Sequence, residues 1–170
     1  IKDLWRTSGM PTHTICTGLM SRSVCLKYFR YPDLSPLELA SALKIEAEET
    51  LQLPPEEIVL DWHLNRPIDN PYTQLGEQLQ GVLVAAPKEE VNRQLVILKK
   101  AGLYPVIMDV GCTSLCNLFL ALRGDQVNHE RAVCLVDLTR HNADISILYN
   151  GHYIYARVII SRTEEWSKKA

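Results

Sequence analysis

The stretch LSPLELASALKIEAEETLQLPPEEIVLDWHL, residues 34–64, carries the strongest local signals in the chain. Ser35 can cap a helix, Pro36 suits the first helical position, and Glu38 completes a capping box. Apolar residues then recur at helical spacing, which predicts that one helix face packs inward: Ala40, Leu43, Ala47 and Leu51. The stretch therefore predicts a well-defined helix.

The same stretch also predicts the end of the helix and the start of a strand. The pair Pro54-Pro55 breaks the helical pattern, because proline lacks the backbone N–H that a helix interior needs. Residues 58–64 (IVLDWHL) then have the β-branched and aromatic content of a strand.

The overall composition is that of an ordinary globular protein. The chain has 170 residues, 46% of them hydrophobic and 22% charged, which fits one domain or two small subdomains. A formal charge of −2 gives no reason to expect nucleic-acid binding, which needs a concentrated basic face. No apolar run approaches the roughly 18 residues that span a bilayer. We expect membrane contact only through a partner.

The cysteines indicate a reducing, cytoplasmic setting. They are odd in number, five, and none forms a CxxC motif. Apolar neighbours predict that Cys16, Cys25 and Cys134 are core thiols. Cys112 and Cys116 stand one helical turn apart, where they could be a ligand pair but are better explained as packing residues on a buried helix.

The order of the remaining elements predicts an α/β chain. A helix over 1–8 precedes two strands, 14–19 and 24–30, which we expect to form a hairpin. A loop covers 65–80, and a strand–helix–strand unit with its helix over 88–101 comes next. A helix over 113–122, apolar on most sides, should be buried between layers. The chain closes with three strands, 132–138, 144–149 and 152–160, the last two joined by the type I′ turn pair Asn150-Gly151.

Three stretches resemble the type IV pilus assembly protein PilM family. Residues 34–64 resemble its capped helix with an E-A-E core, its proline break and its E-E-[IV]-x-L-D strand. Residues 83–110 (LVAAPKEEVNRQLVILKKAGLYPVIMDV) and 147–157 (ILYNGHYIYAR) are also similar to PilM. The likeness runs, with gaps, over roughly residues 10 to 160.

The resemblance implies part of an actin-like fold of the kind found in FtsA and PilM. Residues 1–110 would hold the inserted α+β subdomain with a flanking segment of the first lobe, and residues 111–170 would begin the second actin-like lobe. The first phosphate loop should precede residue 1 and the adenosine-binding segment should follow residue 170. The resemblance thus implies a fragment or a shortened relative.

A weak nucleotide site is implied by the stretch that begins at Val136. The actin-like pattern V-D-[IL]-G-G-G-T-T-D needs glycines so that backbone N–H groups can approach phosphate oxygens. Here Asp137 matches, whereas the glycine positions are held by Thr139, Arg140 and His141, and Asn142 stands at a threonine position. One interpretation keeps Asp137 on the magnesium side, with Arg140 or His141 adding positive charge near a phosphate. The candidate nucleotide-binding residues are then Asp137, Thr139 and Asn142. The other, which we prefer, treats Asp137 as a strand-end carboxylate and 139–143 as a plain turn.

We expect no other chemical site. No histidine shares a helical i, i+4 spacing with a second metal ligand, and Asp61 and His63, two apart on one strand, are best explained as a hydrogen-bonded or surface pair. No nucleophile–base order has a recognisable context. We therefore expect no catalysis, no metal and no bound cofactor, although ATP and Mg²⁺ remain possible in a full-length relative.

The function that the resemblance implies is a PilM-like adaptor of a type IV pilus or related secretion machine. It would lie in the cytoplasm against the inner membrane and bind the cytoplasmic tail of a PilN-like protein. The strand over 24–30 alternates apolar and basic residues, so Lys27, Tyr28 and Arg30 are candidate partner-binding residues on a strand edge. Alternatives are an FtsA-like ATP-binding protein and a GspL-type secretion scaffold, and self-association is also possible.

Overall fold

A computed structural model describes residues 1–19, 21, 23–65, 78–124, 131–138 and 142–160. Helices and strands alternate along the chain in a mixed α/β order. The elements are α1 (Lys2–Ser8), β1 (Thr14–Leu19), β2 (Cys25–Pro32), α2 (Pro36–Leu51), a 3-10 turn (Pro55–Glu57), β3 (Ile58–Leu64), β4 (Gln78–Pro87), α3 (Lys88–Lys100), β5 (Tyr104–Val110), α4 (Gly111–Arg123), β6 (Ala132–Leu138), β7 (Asn142–Tyr149) and β8 (His152–Ile160).

The strands form three small sheets. β1 and β5 pair in parallel, β2, β4 and β3 form an antiparallel sheet in that order, and β6, β7 and β8 form an antiparallel meander. The predicted hairpin between the first two strands is therefore wrong. A short polar turn permits a hairpin, but it cannot decide pairing when each strand has a better partner far along the chain.

The central strand β4 is covered on both faces. Leu83 and Ala85 point to one side and pack against Leu39 and Leu43 of α2. Val82 and Val84 point to the other side, where the buried thiols of α4 complete a second core with β7 and β8. Because successive strand residues face opposite ways, β4 links the two cores.

Helix α2 forms as its sequence predicts. The Glu38 backbone N–H donates to Ser35 Oγ at 3.4 Å and the Ser35 N–H donates to Glu38 Oε2 at 2.8 Å, so the capping box is confirmed. The inner face carries Leu39 in place of the predicted Ala40, followed by Leu43 and Ala47. The helix ends at Leu51, before Pro54, because Gln52 adopts a left-handed conformation with φ 54°.

Other local predictions are also confirmed. α3 covers 88–100, and Gly102 follows it with φ 79°. Asn150 and Gly151 have φ 57° and 76°, as a type I′ turn between β7 and β8 requires. β3 matches the predicted strand. Most of the predicted loop over 65–80 lies outside the described residues.

Helix α4 is less buried than predicted. Its thiols Cys112 and Cys116 are buried as packing residues, whereas Leu118 and Leu122 are 55% and 68% exposed. One face packs on β4 and β7, and the described chain places no layer over the opposite face. Cys16 and Cys134 are exposed and Cys25 is half-buried, so the prediction of core thiols is wrong for the first two. Strand alternation explains this, because an apolar neighbour in sequence points to the other face.

A polar network joins α2 to β2 at the edge of the first core. Lys27 Nζ lies 2.7 Å from Glu46 Oε1, and the Tyr31 hydroxyl donates to Glu46 Oε2 at 2.6 Å. Burial raises the pKa of Glu46, but the bonds from Lys27 and Tyr31 outweigh it and the pKa is lowered. Burial and the bond to Glu46 raise the pKa of Tyr31 to about 12.

None of the described helices is both long and apolar enough to cross a membrane.

Gly81 on β4 provides a test of this packing. A Cβ at Gly81 would lie 2.2 Å from the His63 carbonyl oxygen and 2.7 Å from Phe29 Cζ. Gly81→Ala should therefore lower the free energy of unfolding by about 2–3 kcal/mol, because the backbone of β3 must move. Urea denaturation measures the change. Gly18→Ala on β1, where a Cβ meets nothing within 4 Å, is the matched control and should change little. Equal effects of the two substitutions would contradict the packing described.

Glu46→Gln tests the polar network. At pH 7 we expect a loss of about 1 kcal/mol, kept small because Lys27 is half exposed. The lowered pKa of Glu46 means that its contribution is present above its ordinary value of 4.5 and is lost as pH falls through the folded-state value. The difference between wild type and variant should therefore shrink in acid, as urea denaturation at several pH values would show. Glu48→Gln, the same change of charge two positions along α2, should show no such convergence.

Candidate functional site

A large cleft lies where the β2–β4–β3 sheet meets the start of α3. Its volume is about 1200 Å³. Its walls come from the start of β2, the end of α2 with the following 3-10 turn, the first turn of α3, and β8. Apolar atoms line its floor, contributed by Val24, Cys25, Leu26, Leu51, Leu53 and Ala156. A cleft of this size can hold an extended peptide segment.

Local sequence explains why carboxylates gather at this cleft. Pro54 and Pro55 end the α2 connection and begin a 3-10 turn that presents Glu56 and Glu57. Pro87 ends β4, and α3 starts at once with Glu89 and Glu90 in its first turn, where negative charge complements the helix dipole. A proline pair and one helix start thus bring four glutamates to one rim.

The rim is acidic in sum. Of the described lining residues, Glu56, Glu57, Glu89 and Glu90 carry negative charge, and only Lys88 and Arg157 carry positive charge. Glu90 is also ion-paired with Arg93 outside the cleft, and that hydrogen bond raises the pKa of Arg93. The remaining field favours a ligand with positive charge.

The Cys25 side chain forms part of the wall of this cleft. Burial raises the pKa of the Cys25 thiol against the lowering effect of Lys27, so the thiol stays protonated at neutral pH and serves as an apolar wall. The described lining includes no histidine that could act as a base. The described walls therefore suit binding of a segment of chain.

A second, smaller cleft of about 430 Å³ lies between β3, α4 and the β7–β8 turn. Asp109 at its rim binds side chains in the first half of α4. It accepts hydrogen bonds from Thr113, from Ser114 at 2.9 Å and from Asn117 at 3.4 Å. Asp61 and His63 also line this cleft. No group of three or more His, Cys, Asp or Glu within the described ranges is placed to hold a metal ion.

The predicted nucleotide residues are only partly described. Asp137 is exposed near the end of β6 and stands directly opposite Asp144 of β7, so both carboxylates lie on one face. Asp144 is 6% exposed, and a Cβ on Gly111 would lie 3.4 Å from its Oδ2, which places this carboxylate at the start of α4. Thr139, with Arg140 and His141, lies outside the described residues, as does the side chain of Asn142.

Beneath these aspartates lies a buried polar cluster that the sequence did not reveal. Ser146 is fully buried, with its hydroxyl 3.3 Å from the Tyr153 hydroxyl and 3.5 Å from the Cys112 carbonyl oxygen. Burial raises the pKa of Cys116 to about 11 and also raises the pKa of Tyr153. These groups are neutral at physiological pH, and their role is to satisfy one another in the core.

The predicted partner-binding residues do not share one face. Lys27 points toward α2 and pairs with Glu46, whereas Tyr28 and Arg30 point to the opposite side. The Tyr28 hydroxyl donates to Gln80 Oε1 at 2.6 Å, and Arg30 is exposed. In the described chain β2 pairs only with β4, so the strand does lie at a sheet edge. Of the three candidates, Lys27 and Arg30 are exposed and Tyr28 is half-buried.

Sequence reasoning missed the large cleft. Its lining comes from five separated segments of the chain, and none of them contains a known binding motif. The nearest local signal was the acidic first turn of α3, which helix formation alone explains.

Comparison with known proteins shows what this arrangement is similar to. A chain of the PilM–PilN type IV pilus biogenesis complex has a TM-score of 0.79 and 26% identity, over 98% of this chain and 48% of that chain. The present chain thus spans about half the length of that protein. A Bacteroides thetaiotaomicron protein with an actin-like ATPase fold and unknown function has a TM-score of 0.46 and 13% identity, over 92% of this chain and 51% of that chain.

The likeness to the chain of the PilM–PilN complex confirms the predicted fold class as an α/β fold of the PilM kind. The model of the family described as type IV pilus assembly protein PilM matches residues 1–159 of the 170. The chain therefore belongs to the type IV pilus assembly protein PilM family.

Proposed function

We propose that this protein is an adaptor in type IV pilus assembly that binds the cytoplasmic tail of an inner-membrane PilN-like protein. Family membership and the likeness to a chain of the PilM–PilN complex over 98% of this chain support the proposal. On this proposal the protein works at the cytoplasmic face of the inner membrane and reaches the membrane through its partner.

We propose that the tail binds in the large cleft. Within this chain, the cleft is the single observation on which this proposed binding site depends. It offers an apolar floor and an acidic rim: with Glu90 paired to Arg93, three glutamates remain against two cations among the described lining residues. An extended segment with apolar side chains and positive charge complements both features. Since β2 starts in this cleft and continues as a sheet edge, the tail can leave the cleft along the strand toward Arg30.

The proposed division of the chain follows the adaptor role. Residues 1–110 would form the inserted subdomain with its flanking first-lobe segment, and residues 111–170 would begin the second lobe. The sheet arrangement supports this division, because β6, β7 and β8 pair only among themselves in the described residues. The cleft would then lie at the boundary, since Cys112 and Arg157 line one side of it.

We also propose that the chain does not bind nucleotide appreciably. The support is chemical: Thr139, Arg140 and His141 stand where an actin-like phosphate loop needs glycines, and a Cβ at such positions keeps backbone N–H groups from phosphate oxygens. Asp137, which is exposed, then acts as an ordinary surface charge.

The binding proposal predicts a saturable interaction with a fluorescent peptide of a PilN-like cytoplasmic tail, measured by anisotropy. The double variant Glu56→Lys/Glu57→Lys should weaken binding about tenfold, because two rim charges that attract the tail become repulsive. Glu49→Lys, an equally exposed change on α2 outside the cleft lining, is the control and should leave affinity nearly unchanged.

The variant Arg30→Glu distinguishes tail binding in the cleft from tail binding along the outer part of β2. A loss of binding in this variant, with none in the cleft variant, would move the tail to the strand edge and contradict the cleft assignment. Lys27 is not used for this purpose, because its substitution would also break the bond to Glu46. Absence of binding by the wild-type protein would contradict the adaptor proposal itself.

Isothermal titration with MgATP tests the second proposal. We expect no saturable heat at nucleotide concentrations up to about 1 mM, the range that covers ordinary weak sites. Titration with MgADP serves as a second ligand, and the tail peptide shows that the same sample is active. Micromolar MgATP binding would contradict the proposal and support the ATP-binding alternative.

A further inference from the structure

Strand β3 lies at an edge of its sheet and has few of the features by which proteins protect such edges. In the described chain it hydrogen-bonds to β4 alone, with an unbroken register over all its residues. Its sequence, IVLDWHL, contains no proline and no lysine, and its pairing shows no bulge. Val59, Trp62 and Leu64 are 41%, 36% and 41% exposed. A regular, largely apolar edge of this kind is a template for a further strand.

The backbone groups that face outward can be identified from two contacts. The Asn65 N–H donates to the Gln80 carbonyl oxygen of β4 at 2.8 Å, so the odd-numbered residues of β3 direct their backbone groups toward β4. The even-numbered residues, Leu60, Trp62 and Leu64, therefore direct N–H and C=O groups away from the sheet. The Trp62 N–H agrees with this assignment, because it donates to the side chain of its own neighbour, Asp61 Oδ1, at 2.8 Å.

The side chains of β3 complement those of a second copy of β3 when the two strands pair antiparallel around Trp62. If a second copy pairs antiparallel with Trp62 opposite Trp62, the outward backbone groups of Leu60 and Leu64 face each other and can exchange hydrogen bonds. Asp61 then stands opposite His63 of the second copy, and His63 opposite Asp61, in the closer, non-hydrogen-bonded positions. A carboxylate and an imidazole complement each other there, and Trp62 meets its symmetry equivalent.

The elements that the structure describes leave this edge accessible. α2 covers Leu60 but leaves Trp62 and Leu64 partly exposed, and on the other face α4 and the β7–β8 turn stand across the small cleft from Asp61 and His63. Two copies can therefore form one continuous antiparallel sheet in the order β2–β4–β3–β3–β4–β2.

We propose that the protein forms a twofold-symmetric dimer by antiparallel pairing of β3 with β3 of a second copy, centred on Trp62. The occupant is a second copy because the pattern of charge and apolar side chains satisfies itself under a twofold axis, as an isologous interface requires. The proposal is independent of tail binding, since none of residues 58–64 lines the large cleft.

Sedimentation measurements across a range of concentrations test the dimer. The wild-type protein should associate reversibly. Asp61→Lys and His63→Glu should each weaken self-association about tenfold or more, because each replaces both carboxylate–imidazole pairs of the dimer by groups that repel or do not attract one another. An equimolar mixture of the two variants should recover the wild-type affinity. In the mixed dimer the new lysine of one variant faces the new glutamate of the other, and the remaining Asp61 faces the remaining His63.

The mixture of the two variants is the most informative experiment. Its affinity can return to the wild-type value only if both variants are folded and the strands pair in the proposed register. Trp62→Pro adds a backbone test: it removes an outward N–H that makes no bond to β4, so it should abolish dimers while leaving the sheet paired. A wild-type protein that stays monomeric up to about 1 mM, where even weak interfaces associate, would overturn the proposal. Dimers that form equally well in all variants, or a mixture without recovery, would overturn it too.

Discussion

The whole arrangement depends on the burial of β4 on both faces. A strand can have two apolar faces only when a layer covers each of them, and here α2 covers Leu83 and Ala85 while α4 and β8 cover Val82 and Val84. Gly81 adds a steric constraint, since the ring of Phe29 and the backbone of β3 occupy the space that a side chain would need. The positions of β2 and β3 on either side of β4 result from this packing.

The same packing produces the clefts. α4 crosses behind β4, and its two buried thiols lie at different clefts, Cys112 at the large one and Cys116 at the small one. The large cleft opens where the end of α2, the start of α3 and β8 reach the sheet from different directions without filling the space between them. The rim of this cleft is formed by glutamates: two follow the Pro54-Pro55 break and two lie in the first turn of α3. The acidic character of the cleft is in this way a consequence of local folding rules that also suits a basic partner.

Local features of the fold were predictable from the sequence, and long-range pairing was not. The capping box at Ser35, the left-handed Gly102 and the Asn150-Gly151 turn depend on neighbours within a few residues, so the printed sequence contains the necessary information. The parallel pairing of β1 with β5 joins residues about ninety positions apart in sequence, from Thr14 to Tyr104, and no turn signal encodes it. Resemblance to the PilM family provided the fold class, which the local patterns alone left as an α/β chain.

The candidate site was less predictable for a related reason. Asp137 could be found because a known pattern contains an aspartate at that position, but its placement opposite Asp144 depends on the register between β6 and β7. Lys27 looked available for a partner because its bond to Glu46 links two elements that the sequence does not show to be adjacent. The cleft rim combines Glu56 with Glu89, which only the folded β3–β4 pair brings together.

Nuclear magnetic resonance on isotope-labelled protein is the most direct test of the central claim that this chain recognises its partner at the large cleft. Amide chemical shifts would be monitored while an unlabelled PilN-like tail peptide is added. The account predicts changes that centre on Val24, Leu26, Asn92 and Ala156, which lie around the cleft. Shifts confined to the facing ends of β6 and β7 at Asp137 and Asp144, or no shifts at all, would contradict it.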